Sequence, residues 1–95
     1  MPVIKLADVV RVNPDVVWRE IDGEIVLLNV VTGLYYGLDD AGASIWRIVA
    51  TAPATLQRVR DGLVGEYEGE PDVIERDLLQ LAGKLADAQL LLLSA

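Results

Sequence analysis

One stretch, Gly33 to Trp46, reads Gly-Leu-Tyr-Tyr-Gly-Leu-Asp-Asp-Ala-Gly-Ala-Ser-Ile-Trp and constrains the fold more than any other. Its first part, Leu34 to Leu38, is a short aromatic and apolar run suited to a strand. Asp39 and Asp40 then supply side-chain oxygens of the kind that cap the bare N–H groups at a helix start. Beyond them Ala41, Ile45, Trp46 and Val49 recur at i, i+4, i+5 and i+8, which predicts a helix from about Asp40 to Ala50 with Trp46 as its core anchor. Everything before this point has strand character and everything after it has helical character. A chain that switches once in this way is α+β, strands first and helices after.

Upstream, Val16 to Ile21 and Glu24 to Val31 flank Asp22-Gly23, a two-residue hairpin signal of the type I′ kind. That turn sets Ile21 opposite Glu24, Arg19 opposite Val26 and Trp18 opposite Leu27. A second tight turn at Thr32-Gly33 returns Leu34 to Leu38 antiparallel to the second strand. Trp18, Ile25, Leu27, Val31, Leu34, Tyr36 and Leu38 then share one face, and Val17, Val26, Leu28, Val30 and Tyr35 the other. A half-solvated meander alternates apolar with polar residues, whereas this one is apolar on both sides. Either helices wrap both faces or one face receives a partner. The third strand has no Lys, Pro or charge to blunt its edge, so an extended peptide can add there as a fourth strand. The competing expectation is that the N-terminal arm or a second molecule covers that edge.

Downstream, Thr51-Ala52-Pro53 ends the first helix. Thr55 caps a second one to about Tyr67, with Leu56, Val59, Leu63 and Val64 facing inward. Gly62 inside it costs about 1 kcal/mol against Ala. An acidic connection from Glu66 leads to Pro71, well placed to open a third helix reaching about Ala88. Ile74, Leu78, Leu81 and Leu85 form its core stripe, and Val73, Asp77, Gln80 and Lys84 a second line beside it. Residues 1–12 read as an arm before the Asn13-Pro14-Asp15 turn. Leu90 to Leu93 reads as an apolar tail, packed on the domain or pairing as a wing strand.

Composition narrows the function. Ninety-five residues make one domain with one small core. Neither Cys nor His is present, which removes thiolate nucleophiles, imidazole bases and the usual zinc ligands; no cofactor or metal motif is found, and binding rather than catalysis is expected. No apolar run approaches the length of a membrane span and no signal-peptide pattern opens the chain, so a cytoplasmic protein is expected. The net charge is −7, with eight scattered basic residues. The third helix carries Asp72, Glu75, Asp77 and Asp87 against Arg76 and Lys84, the wrong balance for neutralising phosphates, so nucleic acid is not an expected partner.

The run Leu-Leu-Asn-Val-Val-Thr-Gly-Leu-Tyr-Tyr-Gly-Leu-Asp-Asp-Ala-Gly-Ala-Ser-Ile-Trp, Leu27 to Trp46, with a hairpin before it and two helices after it, resembles the PqqD-like family. The likeness covers roughly residues 9 to 93. It implies a winged helix-turn-helix-like fold, a three-stranded antiparallel sheet followed by three helices. It also implies a RiPP recognition element, which holds the leader of a ribosomally made precursor peptide. The Tyr-Tyr-Gly-Leu-Asp-Asp form looks most like the stand-alone members of lasso-peptide pathways. In such domains the leader lies as a strand beside the third strand, in a groove walled by the third helix. Carried onto this sequence, the resemblance points to Leu34, Tyr35, Tyr36, Gly37 and Leu38, with Val73, Arg76, Asp77, Gln80 and Lys84 across from them. It implies an apolar pocket near Leu34 and Tyr36 for a Tyr-x-x-Pro element of the leader. It further implies two separate partners, a papain-like cysteine protease acting as leader peptidase and the cyclase. Gln89 departs from the pattern, since Gly is common near that helix end. Two alternatives stay open: a PqqD-type peptide chaperone for a radical-SAM enzyme, and a non-catalytic oligomerisation module.

Overall fold

In the computed structural model, which describes residues 4–94, the strand-to-helix switch falls at Asp39. The elements in chain order are β1 (Val9–Val12), β2 (Val16–Ile21), β3 (Glu24–Asn29), β4 (Leu34–Leu38), α1 (Asp40–Thr51), β5 (Ala54–Thr55), α2 (Leu56–Glu66), α3 (Pro71–Asp87) and β6 (Leu91–Ser94). Strands β2, β3 and β4 form the antiparallel meander in that order. Asp22 and Gly23 both take positive φ, 52° and 83°, the type I′ geometry. The three cross-strand pairs expected from that turn are all present.

The β3–β4 connection differs from the expected two-residue turn. It is a four-residue loop, 30–33, closed by the Asn29–Leu34 pair. Asn29 is the reason. Its side-chain oxygen accepts from the N–H groups of Val31 at 2.9 Å and Thr32 at 3.2 Å, and its carbonyl accepts from Gly33 at 2.8 Å. Local side-chain bonding of this kind competes with a tighter turn. Val30 and Val31 therefore sit on the loop and belong to neither face of the meander.

A second sheet, in the order β5-β1-β6, was only partly legible. Val9–Val12, read as part of an arm, pairs antiparallel with both the tail strand and the two residues before α2. Val10 is fully buried there, which is why the segment is ordered. Residues 1–3 of the arm and residue 95 lie outside the described residues. Val9–Val12 thus pairs away from β4, and among the described residues no strand covers the outer edge of β4.

Helix starts follow the caps read from the sequence. Asp39 accepts from the Gly42 N–H at 3.0 Å, and Thr55 accepts from the Arg58 N–H at 3.2 Å. The helices cover one face of the meander only. On that face Ile25, Leu27 and Leu38 join Trp46, Ile45 and Leu78 in the core, and Trp18 meets Trp46 edge-on with centroids 6.3 Å apart. On the opposite face Val17, Ile21 and Tyr35 remain exposed. Gly62 lies at the α1–α2 contact, where a Cβ would meet only the tip of Ile48, 3.1 Å from its Cδ1.

Candidate functional site

Strand β4 is an edge, since β3 is its only neighbour among the described residues. Antiparallel strands alternate between residues whose N–H and C=O groups face the partner and residues whose groups face away. A type I′ hairpin makes Ile21–Glu24 a hydrogen-bonded pair, so the backbone groups of Glu24, Val26 and Leu28 face β2. Those of Ile25, Leu27 and Asn29 consequently face β4, where they meet Leu38, Tyr36 and Leu34. The backbone groups left pointing outward from β4 are those of Tyr35 and Gly37. Two residues thus offer the unpaired donors and acceptors of this edge.

Beside that edge α3 stands off from the strand and leaves a hollow of about 350 Å³. Tyr36, Gly37 and Leu38 form one wall and Leu81, Lys84 and Ala88 the other. The floor is the first turn of α1. Gly42 makes that close approach possible, because a Cβ on it would lie 3.3 Å from Leu38 Cβ. Lys84 is the one cation on the walls among the described residues. Past Leu81 the hollow leads toward a second one, bounded by Val73 and Asp77.

The structure brings Tyr36, Gly37, Leu38 and Lys84 together around the first hollow and puts Val73 and Asp77 on the second. It does not bring all ten expected positions together. Leu34 is 54% exposed beyond the end of the first hollow, and Tyr35 is 72% exposed with its ring on the outer face of the sheet. Gln80 opens instead onto a separate depression with Ile4 and Leu93, and Arg76 pairs loosely with Asp77 at 3.8 Å. Leu81, Ala88, Gly42 and Tyr67 line the hollows without having been singled out for them. Leu81 had been read as core from its place in the helical stripe, a period that separates inside from outside but not core from groove wall.

The width of the groove is held at one end by two buried asparagines. Helix α3 leaves through Gln89 at φ 61°, and its carbonyl accepts from Asn13 Nδ2 at 2.6 Å and Asn29 Nδ2 at 3.2 Å. The end of α3 is thereby tied to β3 and to the turn before β2. Separately from the groove, Arg47 of α1 donates to Glu20 at 2.7 Å and to the Gly23 carbonyl at 3.2 Å, clasping the tip of the β2–β3 hairpin. The hydrogen bond to Glu20 raises the Arg47 pKa above its usual value.

Residues 24–91 match the family described as coenzyme PQQ synthesis protein D (PqqD), a span from the start of β3 to the start of β6. The chain belongs to the PqqD family. Among curated proteins none matches it. Two solved structures share the fold of this PqqD-family chain. TbiB1, solved in complex with the TbiA(β) leader peptide, is 34% identical, with a TM-score of 0.80 over 85% of this chain and 93% of that one. A lasso peptide synthetase B1, complexed with the leader peptide, is 29% identical, with a TM-score of 0.76 over 87% of this chain and 96% of that one. The expected α+β, winged helix-turn-helix-like architecture is met, with the second sheet added to it.

Proposed function

We propose that this PqqD-family protein recognises the leader of a ribosomally made precursor peptide in lasso-peptide biosynthesis, binding it as a fourth strand on β4. The observation that carries this is the β4 edge, uncovered among the described residues and facing α3 across an apolar hollow, in a fold shared with two proteins solved with leader peptides. Tyr35 and Gly37 supply backbone hydrogen bonds, while Tyr36, Leu38, Leu81 and Lys84 receive side chains. Leu34, Arg76 and Gln80 lie outside this constellation. The protein acts without catalysis of its own, in the cytoplasm, and hands the leader to a papain-like cysteine protease and to the cyclase. No helix among the described residues is long and apolar enough to cross a membrane.

Fluorescence anisotropy of the labelled leader from the precursor gene beside this one tests the proposal. Saturable binding is expected, and Tyr36→Asp weakens it at least about tenfold, since an apolar anchor becomes a charge in the groove. No binding at tens of micromolar overturns it. The family match to a PQQ-synthesis protein supports a second reading, a peptide chaperone for a radical-SAM enzyme. Adding the neighbouring peptidase or the radical-SAM enzyme to the complex separates the two, because only one forms a ternary complex and processes the peptide.

A further inference from the structure

The second hollow, about 300 Å³, opens where the first turn of α1, the end of α2 and the start of α3 converge. Ile45, Leu63 and Leu78 lie beneath it, and Val73 and Leu81 wall it on α3. Its volume is at the lower end of ligand sites, about 300–1,000 Å³. The wall from α2 is preset. Tyr67 holds its hydroxyl 2.6 Å from Ser44 Oγ, a buried side chain, and donates to the Asp40 carbonyl at 3.1 Å. The rim is acidic. Glu68 and Glu70 border the hollow and make no ion pair among the described residues, while no Lys or Arg lines it.

This hollow adjoins the β4 groove at Leu81, which borders both and separates them. From Lys84 back to Val73 the helix rises about 16 Å at ~1.5 Å per residue. An extended peptide spans that in about five residues. A strand lying along β4 therefore has its next residues directed over the second hollow once it passes Leu38.

We propose that the bound peptide continues past β4 into this hollow and places there an apolar side chain with a Lys or Arg beside it, the cation meeting Glu68 and Glu70. The groove is then polarised, with Lys84 at one end and uncompensated carboxylates at the other, so it selects the direction of the peptide as well as its apolar anchors. This inference rests on the leader reading of the β4 groove.

The test uses the synthetic leader of the precursor encoded beside this gene, labelled with fluorescein, in full and trimmed from each end. Wild type is compared with Val73→Glu, with a Glu68→Lys/Glu70→Lys double variant and with Tyr36→Asp. Val73 is 42% exposed and both glutamates are exposed, so these changes leave the core intact. Val73→Glu and the double variant are expected to weaken the full leader about tenfold and to leave one trimmed form unaffected. Changing the Lys or Arg in the removed segment to Glu restores binding to the double variant, which a folding defect would not permit. If both variants hold the full leader as wild type does while Tyr36→Asp loses it, the second hollow is not a subsite and the leader reading stands. If wild type binds no form of the leader, both fall.

Discussion

At the scale of single residues, the carbonyl of Gln89 shows how a few atoms set the geometry of the site. Gln89 sits in the left-handed region, where a residue with a Cβ is strained and Gly is not. Gln89→Gly is expected to stabilise the protein by about 1 kcal/mol, because the carbonyl that the two asparagines grip is backbone and survives the change. Urea denaturation measures this; a loss of stability would mean the glutamine side chain has a role of its own. Asn29 is fully buried and has both ends of its amide engaged. Asn29→Ala leaves the Val31 and Thr32 N–H groups and part of the Gln89 carbonyl without these partners, a cost of about 2–3 kcal/mol in the same assay. From the sequence, Gln89 stood out only as a departure from the family pattern that left the helix stop open; its left-handed backbone came from the structure. That Asn13 and Asn29 converge on it was not legible either, since 76 and 60 positions separate them from it in sequence.

At the scale of elements, the two sides of the meander separate two kinds of apolar residue. The edge and inner side of β4 face α3 and form the groove. The outer side, with Val17, Ile21 and Tyr35, lies away from the helices. Ile21→Lys is therefore expected to leave leader affinity unchanged and to shift stability by no more than about 0.5 kcal/mol, as for ordinary surface substitutions. Anisotropy and urea titration on the same sample check both. Strand addition also has a chemical signature. N-methylation of the leader removes one donor at a time, and donors of an added strand face β4 only at alternate residues. Loss of affinity is thus expected at every second position, about fivefold or more for each lost bond. Uniform loss or uniform tolerance along the leader would rule out β-augmentation.

At the scale of the whole molecule, the charge of −7 and the shape of the groove act together. A ligand that binds only the folded state stabilises it by mass action. Leader at about 100 times its Kd adds about 2.7 kcal/mol, which for a chain of 95 residues raises Tm by about 10–20 °C. Double-stranded DNA at the same concentration is expected to leave Tm unchanged, because the chain offers few cations for phosphate neutralisation. A calorimetric scan with each ligand reads both outcomes.

What the sequence determined by itself was local. Asp22-Gly23, Asp39, Thr55 and Pro71 act on backbone within a few positions of themselves, and the strand and helix periods depend only on which neighbours are apolar. The turn, the caps, the register of the first hairpin and the three helices were therefore legible, as was the family. Tertiary structure alone decided what stays open. Val9–Val12 finds its partners in Ala54–Thr55 and Leu91–Ser94 rather than at β4, and nothing near Val9 in the chain encodes that choice. Likewise, an apolar stripe on α3 marks a buried side but not the distance to the strand opposite. The two asparagines on Gln89 and the absent Cβ of Gly42 set that distance, so that Leu81, read as core, becomes the wall between two hollows.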